Sequence, residues 1–255
     1  MIPIRPSIFL RSTLLGLVIF LSASCQQTAS RNLKSEVLVL GMIHQGHLDS
    51  ESFGIDVVKD LVRGFKPDYL LVEIPPDRMA EAMDGFLRNG ELTEERAKMF
   101  PEYRDAIFPL LHEMDFGIIG CAGWTKEMAV DRQAKLARWQ ISRAEQSAEV
   151  NAAQELSEAT QEAEGLNNLV GIHTPRYDQL VKQGMEPYDR YFNEDLGLGG
   201  WTNINAAHYQ HIAQALDQHS GEGKRFIITF GAWHKYWFLE QLRERDDVIL
   251  VELPR

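Results

Sequence analysis

Cysteine is almost missing from this chain of 255 residues, with Cys25 and Cys121 the only two. So small a number excludes a disulfide framework, and Cys121, set in an apolar stretch, suits burial as a small hydrophobe. Basic side chains are also scarce: 26 Lys and Arg stand against 37 Asp and Glu, a formal charge of −11. Nucleic acid is therefore not an expected partner, because binding a phosphate backbone calls for clustered positive charge. No Gly-x-Ser-x-Gly elbow occurs, which disfavours a serine hydrolase. The apolar run Leu14 to Leu21 falls far short of the ~20 residues a helix needs to cross a bilayer, so a permanent span is not expected.

What the N-terminus does hold is Arg5 and Arg11 with no acid, then that apolar run, then Ser22-Ala23-Ser24-Cys25. This is the order of a signal peptide over residues 1–24: charged region, short apolar core, small-residue cleavage site. Small residues before a cysteine resemble the lipobox of bacterial lipoproteins, although Leu21 stands four places before Cys25 and Ser22 occupies the usual leucine position. The resemblance implies lipid on Cys25 and a membrane anchor in the cell envelope. Gln26 rather than aspartate after the cysteine favours the outer membrane by similarity to the enterobacterial sorting pattern. Cleavage would leave 24 basic and 37 acidic residues. Residues 25–35 are small and polar and read as a flexible tether.

Residues 36–255 are expected to form one α/β domain, a central mainly parallel sheet flanked by helices. Five apolar runs suit buried strands: Glu36–Gly41, Asp68–Ile74, Phe116–Cys121, Arg225–Gly231 and Val248–Leu253. Between them Ile55, Val58, Leu61 and Val62 repeat at helical spacing, as do Phe108, Leu111 and Met114 after Pro101. Strand, helix, strand implies crossover connections and a parallel sheet. Residues 126–164 contain neither Gly nor Pro and are rich in Ala, Glu and Gln, which predicts a long helical insertion or cap about 126–165, either one helix or a helical hairpin.

Ligands of open parallel sheets bind beyond the carboxyl ends of the strands. The first strand runs into Gly41-Met42-Ile43-His44-Gln45-Gly46-His47-Leu48-Asp49, the second ends in Glu73, and the fourth runs into Gly231-Ala232-Trp233-His234. Two Gly-x-x-His segments thus follow buried strands. Glycine lets the backbone turn or approach closely, and a histidine three residues on can enter the crevice. An imidazole there can ligate a metal or take a proton from water, while Glu73 can orient an imidazolium, act as acid or base, or ligate a metal itself. The chemistry requires His44, Glu73 and His234 to converge, within ~8 Å of one another. His47 and Asp49 could join them on one ion, or face solvent. His208 and His211 sit three apart on a helical stretch and could meet an ion, although exposed helix histidines are commoner. Trp233, Tyr236, Trp237 and Phe238 could wall an apolar substrate or pack in the core. Glu113 and Asp115 are expected in solvent.

Taken together, Gly41–His44, Tyr69–Glu73 and Gly231–His234 resemble the superfamily that holds the TraB/PrgY, GumN and Tiki proteins, the erythromycin esterases and the haem-binding lipoprotein ChaN. The resemblance implies a sheet with surrounding helices and a cleft where the two Gly-x-x-His loops meet. It implies a hydrolase of an amide or ester, whose substrate is a peptide or small molecule. In the Tiki-like form a divalent metal (Zn, Mn, Co or Fe) would be held by His44, Glu73 and His234, with His47 a further candidate. In the esterase-like form His44 is a base on water without metal. Many relatives carry an arginine on the helix before the last histidine strand; here Trp201-Thr202-Asn203-Ile204-Asn205 offers asparagines, with Asn205 taken together with Trp233, Tyr236 and Trp237 as substrate-binding candidates. The ChaN-like alternative is a non-enzymatic haem- or iron-binding lipoprotein, with His44 or His234 as axial ligand beside Tyr236 and Trp237. The sequence carries no mark of oligomeric state.

Overall fold

The computed structural model describes residues 33–253; the expected signal peptide, Cys25 and most of the expected tether lie outside them. The tether ends sooner than its composition suggests: Leu33 N–H already bonds Gly221 O at 3.2 Å, and Ser35, 3% exposed, opens the first strand.

Five strands form one sheet, all parallel: β1 (Ser35–Met42), β2 (Tyr69–Val72), β3 (Gly117–Gly120), β4 (Arg225–Gly231) and β5 (Val248–Leu250). Each lies within, or one residue beyond, its apolar run. Alternate residues serve opposite faces, as the pleat requires. Leu38, Leu40 and Met42 of β1, Leu70 and Val72 of β2 and Ile227 of β4 enter one core, while Val37, Val39, Leu71, Phe226, Ile228 and Phe230 enter the other. A strand buried on both sides has no polar face to show, hence the unbroken apolar runs.

In chain order the helices are α1 (Ile55–Phe65), α2 (Met79–Asn89), α3 (Glu95–Met99), a π-helical turn (Glu102–Ile107) running into α4 (Phe108–Leu110), α5 (Lys126–Ser142), α6 (Ala144–Ala163), α7 (Leu169–Ile172), α8 (Pro175–Phe192), α9 (Trp201–Gln218) and α10 (Lys235–Arg243). The insertion is two helices, not one. They break at Arg143 (φ −134°, ψ 46°), whose guanidinium bonds Asp195 and Tyr191 O and lies over Trp139 and Phe192. Thr125 caps α5 by accepting from Met128 N–H. α6 packs along α8 closely enough that a Cβ on Gly184 would lie 2.8 Å from Ser157 Cβ.

Strand order places the site. Across the sheet it is β3-β2-β4-β1-β5, so β4 lies between β2 and β1. The strands ending in Glu73, in Gly231–His234 and in Gly41–His44 are therefore immediate neighbours pointing the same way. Among the described residues no helix is long and apolar enough to cross a membrane.

Candidate active site

The first motif depends on a strained residue. His44 has φ +50°, a left-handed backbone in a non-glycine residue, at a cost of roughly 1–3 kcal/mol that the surroundings must offset. They do so by fixing the turn that follows. Gly46 N–H bonds Ile43 O at 2.9 Å, and the Gln45 side-chain amide bonds Met99 O at 2.7 Å. His47 completes the loop: its Nδ1–H donates to Phe53 O (2.6 Å) while Nε2 accepts from Ile43 N–H (3.2 Å). With both ring nitrogens spent on backbone and the residue 2% exposed, His47 is a loop brace and faces neither the site nor solvent. Asp49 is exposed and forms no part of the cluster.

So held, the His44 ring stacks on Phe100 (centroids 4.3 Å apart) and shares an Nδ1···Oε1 hydrogen bond of 2.7 Å with Glu102. Glu102 opens the π-helical turn and is wholly buried, its Oε2 without a partner. A carboxylate on Nδ1 keeps the proton there and turns the Nε2 lone pair toward the cleft. Burial alone would lower the His44 pKa, but the bond to Glu102 and the charges of Glu73 and Glu102 prevail and raise it above its ordinary value.

Glu73 follows β2, 4% exposed. Oε2 accepts from Gly231 N–H at 2.9 Å and lies 3.8 Å from His44 Nε2; Oε1 accepts from Arg96 Nη2 at 2.9 Å. Arg96 Nε also reaches Glu73 O (3.3 Å), and the guanidinium lies over Phe100. Behind them the Tyr103 hydroxyl accepts from Glu73 N–H (2.7 Å) and donates to Thr229 O (2.8 Å), tying the end of β2 to β4. Burial pushes the Glu73 pKa up; positive charge on the neighbouring histidines when they are protonated, Arg96 and the Gly231 N–H oppose it, and the balance lies below the ordinary value.

The second motif is held in the same manner. His234 Nδ1 bonds Asn205 Oδ1 at 2.7 Å, and Asn205, fully buried, donates its amide to Trp201 O at 2.8 Å, which fixes which end faces the imidazole. Asn205 thus orients a histidine and has no free face for substrate. Trp201 stacks on the His234 ring (4.8 Å), and His208 meets it edge-on (5.1 Å). His208 is buried, not exposed as expected of a helix histidine: Nδ1 accepts from Gly123 N–H at 2.7 Å and Nε2 has no partner. Burial lowers the His234 pKa to about 4, so it is neutral at physiological pH.

One point locates the convergence. A Cβ placed on Gly231 would lie 2.8 Å from His44 Nε2, 3.6 Å from Glu73 Oε2 and 3.6 Å from His234 Cδ2. Glycine stands there because any side chain would collide with the imidazole. The three side chains fall inside the expected ~8 Å. The two motifs also touch directly, since a Cβ on Gly41 would lie 3.0 Å from Ala232 Cα.

Each motif histidine has Nδ1 bonded to a side-chain oxygen, which turns Nε2 to the cleft as either a base or a metal ligand requires, while Glu73 has Oε1 on the Arg96 guanidinium and Oε2 on the Gly231 N–H. Among the described residues no group of three or more His, Cys, Asp or Glu side chains is disposed to hold a metal ion.

The other candidates disperse. Tyr236 is 8% exposed with its hydroxyl accepting from Trp201 Nε1–H (2.8 Å), Trp237 packs edge-on to Tyr209, and Phe238 is fully buried. Most of the expected aromatic wall is thus packing; Trp233 is partly buried against the core. Glu113 and Asp115 are exposed, Glu113 pairing with Arg63, and Cys121 is buried. His211 is half-buried. Sequence reasoning missed Arg96, Glu102, Phe100 and Tyr103. Beside the cleft a groove of about 440 Å³ is lined by Arg96, Met99 and Trp124 among others. No family model, no curated protein and no solved structure matches this chain.

Proposed function

We propose that the protein is a hydrolase of the cell envelope in which His44 is the general base on water and an ester or amide carbonyl is attacked. The single observation that carries this reading is the meeting of His44 Nε2, Glu73 Oε2 and His234 over Gly231. Water bound there gives a proton to His44 Nε2 as its oxygen attacks the carbonyl. The imidazolium that forms is stabilised by Glu102 at 2.7 Å and by Glu73 at 3.8 Å. Arg96, a quarter exposed at the side chain, provides positive charge at the cleft for the oxygen that becomes negative. The arginine expected on the helix before the last strand is thereby replaced by one from α3. Neutral His234 remains an acceptor that helps to orient water. The resemblance to the erythromycin esterase-like proteins supports the metal-free form and that to the Tiki-like proteins a form in which Nε2 of His44 and of His234 would hold a divalent metal; the ChaN-like haem form draws less support, because Tyr236 and Phe238 are packed in the core.

Hydrolysis of a panel of p-nitrophenyl esters and amino-acid p-nitroanilides is the test. Turnover above the spontaneous rate that persists in EDTA and 1,10-phenanthroline is expected. Loss of turnover in chelator, restored by a divalent ion, would favour the metal form, and no turnover of any probe would sink the hydrolase reading. The envelope location rests on the Ser22–Cys25 pattern. Labelled palmitate should enter the protein expressed in a bacterial host and be absent from Cys25→Ser; equal labelling of both would refute lipid on Cys25.

A further inference from the structure

One short stretch that follows the insertion touches both histidine motifs. His173 follows α7 and donates Nδ1–H to Leu169 O (2.7 Å), which leaves Nε2 free to accept from Gly41 N–H at 3.0 Å. That amide needs a partner, because β5 pairs with β1 only as far as Val37 and the end of β1 has no strand on that side. Burial lowers the His173 pKa to about 4, so the ring stays a neutral acceptor at physiological pH. Ile172 closes on the same glycine, its Cγ2 3.4 Å from where a Cβ would be. Five residues after His173, Asp178 in the first turn of α8 takes the ammonium of Lys235, which is 2% exposed and directly follows His234. A buried lysine next to the second motif is costly to leave unpaired, so this contact fixes where the chain goes after His234.

We infer that the segment Ile172–Asp178 is a single brace for both Gly-x-x-His loops, with His173 and Asp178 as its positioning residues. The brace acts on the site proposed above, but its geometry is independent of what reaction occurs there. It gives the insertion a mechanical role: α6 is packed on α8, and α8 begins at the brace, so the cap is joined to the two histidine loops through backbone and buried charge. A displacement of about 1 Å at a reacting group can cost up to ~100-fold in rate.

Amide hydrogen exchange read by NMR separates this role from general stabilisation. Gly231 N–H, held by Glu73, reports whether the strand ends remain assembled, and it does not contact the brace. In His173→Phe, Gly231 exchange is expected to quicken by about tenfold or more while Ile118 and Ile119 of β3 keep wild-type rates. His173→Gln, which keeps an acceptor, should restore much of the protection. If His173→Phe does not fold, Asp178→Asn combined with Lys235→Met, which removes the ion pair without stranding a charge, reads the same amide. With p-nitrophenyl acetate as probe, kcat should fall up to ~100-fold with KM unchanged within about twofold. Loss of protection confined to Gly41, or spread evenly over every strand, would overturn the brace. If wild type and variants alike hydrolyse nothing, the hydrolase reading falls while the exchange result still decides this one.

Discussion

Replacing His44 by Ala or Asn should cut kcat/KM for any ester or amide the protein hydrolyses by about 10² to 10⁴, the range for loss of a positioned base. That is roughly 3–6 kcal/mol of transition-state stabilisation at about 1.4 kcal/mol per tenfold. Two substitutions are better than one because His44 sits at φ +50°. Asn tolerates the left-handed backbone and Ala does not, so Asn keeps the loop while removing the base. The fold should survive both, since the His44 ring is about a third exposed and the turn is held independently by Gln45, Gly46 and His47. Folded variants that retain full activity would remove His44 from the chemistry.

Arg96→Met should be the most destabilising single change at the site. It leaves the Glu73 carboxylate, 4% exposed, with only the Gly231 N–H and a histidine 3.8 Å away. Breaking a buried pair from one side typically costs 3–5 kcal/mol; partial exposure of the guanidinium argues for the lower end, about 3 kcal/mol. In a domain of this size that is a fall in Tm of about 6–12 °C. Glu73→Gln added to Arg96→Met should recover part of the loss, because the stranded charge is then gone. A melting temperature unchanged by Arg96→Met would show that the pair does not hold the carboxylate in place.

The strands and the three convergent residues could be read from sequence because their signals are local. An apolar run of four to eight residues closed by Gly41 or Gly231 marks a buried strand end, and the parallel sheet then brings His44, Glu73 and His234 to one side. Adjacency was not readable: only the order β2-β4-β1 makes those ends neighbours, and no residue type announces it. The supporting residues were hidden for a different reason. Arg96 stands in the polar stretch Thr93-Glu94-Glu95-Arg96, which resembles a solvated helix face. Glu102 follows Pro101 as a first-turn acid ordinarily does, and only the π-helical turn that it opens, a feature frequent at functional sites, accompanies its burial against His44. His47 and Asn205 misled in the opposite direction, since a polar side chain committed to backbone or to another histidine has the same letter as one free for substrate. The aromatic cluster after His234 fails as a wall because Phe238 and Tyr236 are in the core, where rings are needed for volume.

The central claim is that His44 is a base sustained by Glu102, and the pH dependence of kcat/KM in wild type and Glu102→Gln tests it most directly. A base works unprotonated, so the rate should rise with pH through the His44 pKa of the free enzyme and level off above it. Glu102 raises that pKa; the amide in its place still accepts the Nδ1 hydrogen but carries no charge. The account predicts a wild-type limb centred above pH 6.5 and a limb displaced to lower pH in Glu102→Gln, with a lower plateau because the imidazolium loses its counter-charge. A limb at the same pH in both proteins, or no limb between about pH 5 and 9, would contradict it.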